Sequence, residues 1–98
     1  MAVVLVFQGP SITQQSYSEV VRRLTDGRRE RMESPSDWPV EGLLVHIAGE
    51  GPKGFRVVDV WESEEACNAF VEALGPHLQE VGITERPEIY PAYAFVSA

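Results

Sequence analysis

The stretch Gly54 to Glu72, GFRVVDVWESEEACNAFVE, decides how this chain is read. Phe55, Val57, Asp59 and Trp61 alternate with Arg56, Val58, Val60 and Glu62, the period of two that places a strand's side chains on two faces. Ser63 then stands in N-cap position. Glu64 and Glu65 fall in the first helical turn, where the positive end of the helix dipole favours carboxylates. Ala66, Phe70 and Leu74 follow at four-residue spacing and make one apolar stripe along a helix. A strand that carries an aspartate and a tryptophan on one face therefore feeds directly into a capped helix.

The remaining elements are arranged around this unit. Upstream, Gly42 to Ala48 (GLLVHIA) reads as a strand, with Leu43, Val45 and Ile47 facing one way and Leu44, His46 and Ala48 the other. The linker Gly49 to Gly54 has hairpin composition, so the two strands pair antiparallel. A symmetric loop makes paired residue numbers sum to about 103, which sets His46 opposite Val57 and diagonal to Asp59. On that register His46, Asp59 and Trp61 share a face; a slip of one residue would send His46 to the other.

Ala2 to Phe7 (AVVLVF) is apolar at every position and rich in β-branched residues, as a strand with both faces covered would be. Thr13 is the N-cap of a first helix whose stripe is Tyr17, Val20, Val21 and Leu24, with Gly27 as its stop. Arg28 to Glu41 is irregular and proline-broken, and so long for a connection that it is either mobile or a cover over something. Trp38 within it packs on the domain surface or lids a pocket. Gly75-Pro76 interrupts the second helix, His77 to Val81 adds a turn, and Gly82 closes it. Glu85 to Val96 is the last strand; Pro91 cannot donate to a ladder, so it belongs at a sheet edge or a bulge.

The order β-α-β-β-α-β is that of a ferredoxin-like α+β fold, two helices on one face of a four-stranded antiparallel sheet. The other face would then be bare. Its residues on the first and third strands are large and apolar, more than a monomer ordinarily exposes, so a homodimer through the open sheet face is expected.

Composition narrows the function classes. Ninety-eight residues make a single domain, 1–98. A net charge of −7 disfavours nucleic acid, whose phosphates need a basic surface. Five arginines between positions 22 and 31 are interleaved with Asp26, Glu30 and Glu33 and read as a solvated helix end. No apolar run approaches the roughly 20 residues of a membrane span, and Ala2 to Phe7 lacks the flanks of a signal peptide. One cysteine, Cys67, fits a reducing compartment and a packing role, so the cytoplasm is the expected location. Two isolated histidines and a helix cysteine lack metal-ligand spacing. No metal and no cofactor are expected.

The run Val58-Asp59-Val60-Trp61-Glu62-Ser63-Glu64-Glu65-Ala66, with Phe70 following, resembles the strand-to-helix signature of the dimeric α/β-barrel superfamily, and more narrowly of antibiotic-biosynthesis-monooxygenase-type domains. The element order extends the resemblance over nearly the whole chain. It implies a dimeric α/β barrel and a cavity between helices and sheet, lined by a tryptophan at the Trp61 position and by tyrosines, here Tyr17, Tyr90 and Tyr93. The chain departs from the aromatic-polyketide oxygenases in having no asparagine on a predicted strand. It departs from the haem-degrading branch in having Phe70 and Glu80 where a tryptophan and a histidine would stand, so haem is not expected.

Two functions are therefore weighed. One is a cofactor-free monooxygenase-like or proton-transfer enzyme acting on a small aromatic or quinol-type molecule in a cavity at the sheet. In it His46 is the general base, because a histidine's proton affinity suits neutral pH. Asp59 orients His46, Trp61 stacks on the substrate, and Tyr17, Tyr90, Tyr93 and Trp38 complete the pocket. The alternative is a non-catalytic dimeric module that binds a small ligand or is structural. There His46 is a hydrogen-bonded strand histidine, Asp59 is simply hydrogen-bonded or paired with Arg56 or Lys53, and Trp61 is core or interface.

Overall fold

Burial on alternate residues organises the sheet. In the computed structural model, which describes residues 1–98, β1 (Val3–Gln8) and β3 (Gly54–Trp61) are its central strands. They pair antiparallel with Leu5 opposite Asp59 and Phe7 opposite Val57. Val3, Leu5 and Phe7 from one strand and Phe55, Val57 and Trp61 from the other are all buried on the face that meets the helices. β2 (Leu43–Gly51) flanks β3 and β4 (Glu88–Pro91) flanks β1, giving the order β2-β3-β1-β4. This is the α+β, ferredoxin-like arrangement.

Both helices start where the sequence signals place them. Thr13 caps α1 (Gln14–Leu24): its hydroxyl accepts from the Ser16 N–H at 3.0 Å, and the Ser16 hydroxyl accepts from the Thr13 N–H at 2.9 Å. Reciprocal caps of this kind satisfy two otherwise orphaned donors. Ser63 caps α2 (Glu64–Val81) by accepting from the Ala66 N–H at 3.0 Å. Val20 and Val21 of α1 and Cys67, Phe70 and Leu74 of α2 turn their buried side chains inward.

Three expectations need correction. α2 runs unbroken through Gly75 and Pro76 to Val81 and ends at Gly82, whose φ of 88° is a left-handed cap. Gly75 and Pro76 lie on the exposed side of the helix, where water can take the carbonyl that proline's missing N–H frees, while Leu74 inside holds the axis. The last strand occupies only Glu88–Pro91. It is an edge strand, as Pro91 requires, but Pro91 also ends it, and Tyr93 and Phe95 lie beyond the ladder.

The β2–β3 hairpin closes on a tight turn, Gly51 paired with Gly54, so the strands run further than the glycine-rich linker implies. Paired numbers sum to 105 (46 and 59, 48 and 57), and His46 sits opposite Asp59 itself rather than Val57. An irregularity between Leu43 and Val45 sets Leu43 opposite Trp61, on the helix side. A bulge of this kind moves one residue to the other face while the ladder continues.

Candidate functional site

Asp59 is the anomaly of the core. Its side chain is 1% exposed, between Val57 and Trp61 on the helix-covered face of a central strand. A buried carboxylate costs several kcal/mol unless it is partnered. The partner comes from the tight hairpin: His46 lies directly across the ladder, with Nδ1 2.7 Å from Asp59 Oδ1. The second ring nitrogen is also engaged. Tyr17, one turn into α1, brings its hydroxyl 2.7 Å from His46 Nε2, with the two rings stacked at 5.8 Å and 14°.

The loop Arg28 to Glu41 completes the chain of contacts. The Met32 N–H donates to the Tyr17 hydroxyl at 3.1 Å. Asp37, buried in a 3₁₀ turn at Pro35–Asp37, holds the loop in shape. One carboxylate oxygen accepts from the Glu33 and Ser34 N–H groups at 3.1 Å each, with Arg29 at 3.5 Å. Those backbone donors, the Glu33 N–H foremost, hold the Asp37 carboxyl below the usual carboxylate range. Trp38 then folds over the site, edge-on to His46 at 4.7 Å and to Phe70 at 4.9 Å. Trp61 lies beneath, stacked on Phe70 at 4.8 Å.

These bonds fix where protons sit. Asp59 as a carboxylate can only accept, so His46 Nδ1 donates to it and Nε2 is left as an acceptor. Tyr17 donates to Nε2 and accepts from Met32. Burial raises the Tyr17 pKa, opposed by the Met32 N–H and by Arg31 and reinforced by the Asp59 charge, so the phenol keeps its proton. Tyr17 also lines the outer cleft. The sequence Met32 N–H, Tyr17 O–H, His46, Asp59 is thus an unbroken directional chain from the loop to the core.

Two spaces meet at Tyr17. Inside is an apolar cavity of about 50 Å³, walled by Phe7, Val20, Trp38, Phe70 and Leu74 with Asp59 as its charged group. Such a volume admits a water or two and no aromatic ring. Outside is a polar cleft of about 630 Å³, bounded by Tyr17, His46, Phe55 and the arginines Arg28, Arg29 and Arg31. That volume lies within the range of small-molecule sites.

The structure thus gathers His46, Asp59, Tyr17, Trp38 and Trp61. Tyr90 and Tyr93 are not among them. Tyr90 pairs with Val4 on the opposite face, 44% exposed, and Tyr93 is fully exposed. Tyr93 lies past Pro91, where the ladder stops, whereas Tyr90 is within the ladder but on the face away from the helices. The Asp59 hydrogen bond goes to His46, not to Arg56 or Lys53. Three contributors went unread in the sequence. Met32 acts through its backbone, which no side-chain pattern reveals. Asp37 follows Ser34-Pro35 as a capping box would, a signal that was available. Phe70 is legible in the sequence as a stripe residue and within the family resemblance, but not as a partner of Trp38.

Other polar groups play lesser parts. The Trp61 indole N–H is buried without a partner, a cost of about 1–3 kcal/mol. Cys67 is fully buried, and burial above all, then the Asp59 charge, pushes its thiol pKa up. No three His, Cys, Asp or Glu side chains converge as a metal site would need. No helix is long and apolar enough to cross a membrane.

No family model matches the chain, and no curated protein matches it.

Proposed function

We propose that this protein is a cytoplasmic, cofactor-free, monooxygenase-like enzyme whose own chemistry is proton transfer from a small aromatic or quinol-type substrate. The observation that carries the reading is the hydrogen-bond chain Tyr17–His46–Asp59, which ends at a cleft of ligand size. A substrate hydroxyl in the cleft donates to the Tyr17 oxygen. As the substrate O–H bond breaks, the Tyr17 proton passes to His46 Nε2. The products are a substrate anion and an imidazolium held by the Asp59 carboxylate, so charge is conserved and Asp59 stays ionised. The Met32 N–H supports negative charge on the Tyr17 oxygen in transit, as a preorganised donor does.

In this reading the electron-rich anion then meets dioxygen. A phenol and dioxygen give a quinone and water, one oxygen atom entering the ring and the other leaving as water. Trp38, Trp61 and Phe70 exclude bulk water from the buried side of the relay. The working form is a homodimer, paired through the open sheet face, where Val4, Val45, Val58 and Val60 stand with Ile47, 59% exposed. An apolar face of this extent is an interaction site.

Oxygen uptake on hydroquinones and phenols tests the proposal. Uptake by the wild type and its loss in both Asp59→Asn and His46→Ala would support it; full rates in both variants would end the assignment. The reading of a non-catalytic dimeric module draws on one observation, the inner cavity of about 50 Å³. It expects those variants to lose thermal stability and nothing else.

A further inference from the structure

The cleft outside Tyr17 has an uneven charge balance once its ion pairs are counted. Of its acids, Glu30 is held by Arg22 at 3.2 Å and Glu33 by Arg29 at 3.5 Å. Of its bases, Arg29 is also engaged with Asp37 at 3.5 Å, and Arg28 reaches the same carboxylate at 3.9 Å. Two charges remain without an ion pair, Glu50 and Arg31. They are not equivalent in position. Glu50 sits far along the hairpin, opposite Phe55 and next to the closing turn. Arg31 directly precedes Met32, whose N–H bonds the Tyr17 hydroxyl.

The chain therefore fixes the Arg31 backbone beside the proton acceptor, with its guanidinium exposed at the cleft. The Tyr17 hydroxyl senses the charge of Asp59 on its buried side and of Arg31 on its open side. A guanidinium in this setting suits a carboxylate, since its planar fork matches two carboxylate oxygens.

We infer that the cleft selects a hydroxylated aromatic carboxylate, its carboxylate held by Arg31 and its hydroxyl presented to Tyr17. The inference rests on the proton-transfer reading above and adds the charge of the substrate to it. An anion at Arg31 also orients the ring: with one end anchored, the hydroxyl is left to meet the relay. The net charge of −7 repels such a substrate at long range, so recognition is short-range and depends on this arginine.

Binding of the three monohydroxybenzoates, benzoate and phenol, measured by calorimetry on the full chain, tests it. At least one hydroxybenzoate isomer should bind about tenfold tighter than phenol, the worth of one charge-assisted contact. In Arg31→Gln that ratio should fall toward one. Lys53→Gln, outside the cleft, should keep it. A ratio unchanged in Arg31→Gln, or no preference in the wild type, would overturn the inference. The relay is read separately, from the visible absorbance of bound 4-nitrophenol, whose ionisation should be lost in His46→Gln. Ionisation kept in the wild type without a carboxylate preference would overturn the anion site alone. No binding by any probe would overturn both.

Discussion

The two faces of the sheet depart from the ordinary rule in different ways. The face covered by helices holds an aspartate and a histidine among Trp61, Phe70 and Leu5, while the face left open is lined by Val4, Val58, Val60, Val45 and Ile47. Stability alone would favour neither a charged side chain under the helices nor a row of apolar ones on the uncovered face. Carboxylate burial is tolerated here because the hairpin register delivers His46 Nδ1 at 2.7 Å. In the proposed reading each face is shaped by something besides folding: the covered one by proton chemistry, the open one by a second copy of the chain.

Removing the buried charge should have the largest effect on that contrast. Asp59→Asn takes away the acceptor that fixes the His46 tautomer. Turnover should fall by about 10²–10⁴, the usual span of general acid–base catalysis, and stability by about 1–3 kcal/mol. Calorimetry alongside the rate assay would separate the two. Next comes Tyr17→Phe, which cuts the relay at its solvent end and leaves the Met32 N–H unpaired. We expect a rate loss of at least about tenfold with only about 1 kcal/mol lost from stability.

The open face is probed by Val60→Arg. If that face pairs with a second copy, the charge should shift the sedimentation profile from dimer to monomer with the circular dichroism spectrum retained. A monomeric wild type would remove the interface half of the comparison.

The smallest effect concerns the loop that carries Met32 and Trp38. The Asp37 pKa is lowered in the folded protein, by the Glu33 N–H first and with Arg29 assisting. The unfolded chain therefore binds the proton more readily. The associated stability is fully present above the unfolded value of about 3.9 and is lost as pH falls below it through the folded value. Glu85, lowered chiefly by the Ser11 hydroxyl, acts in the same direction near its own unfolded value of about 4.3. Melting temperatures measured from pH 5 downward should decline, and Asp37→Asn should flatten part of that decline.

Much of this contrast was legible in the chain. Strand periodicity, the Thr13 and Ser63 caps and the Pro91 edge signal lead to the fold, and the parity of the hairpin puts His46 and Asp59 on one face. What escaped depended on geometry that composition does not carry. The six-residue glycine-rich linker reads as a loop, yet Gly49 to Gly51 extend β2. The register therefore moved by two, which preserved the face and improved the contact. Pro76 reads as a break because propensity is local, whereas burial of Leu74 holds the helix through it. Tyr93 suits a strand by residue type, but the ladder ends at Pro91, which has no N–H to give; Tyr90 is in the strand, on the face away from the helices. Tyr17 was read as a pocket residue; only the meeting of α1 with β2 makes it the link between His46 and the cleft.

The direction of the proposed relay is measured by nitrogen-15 NMR of the His46 imidazole. A proton on Nδ1, with Nε2 bare and accepting from Tyr17, is the predicted result. A proton on Nε2, with Nδ1 bare, would contradict it, because Asp59 would then have no donor and Tyr17 no acceptor.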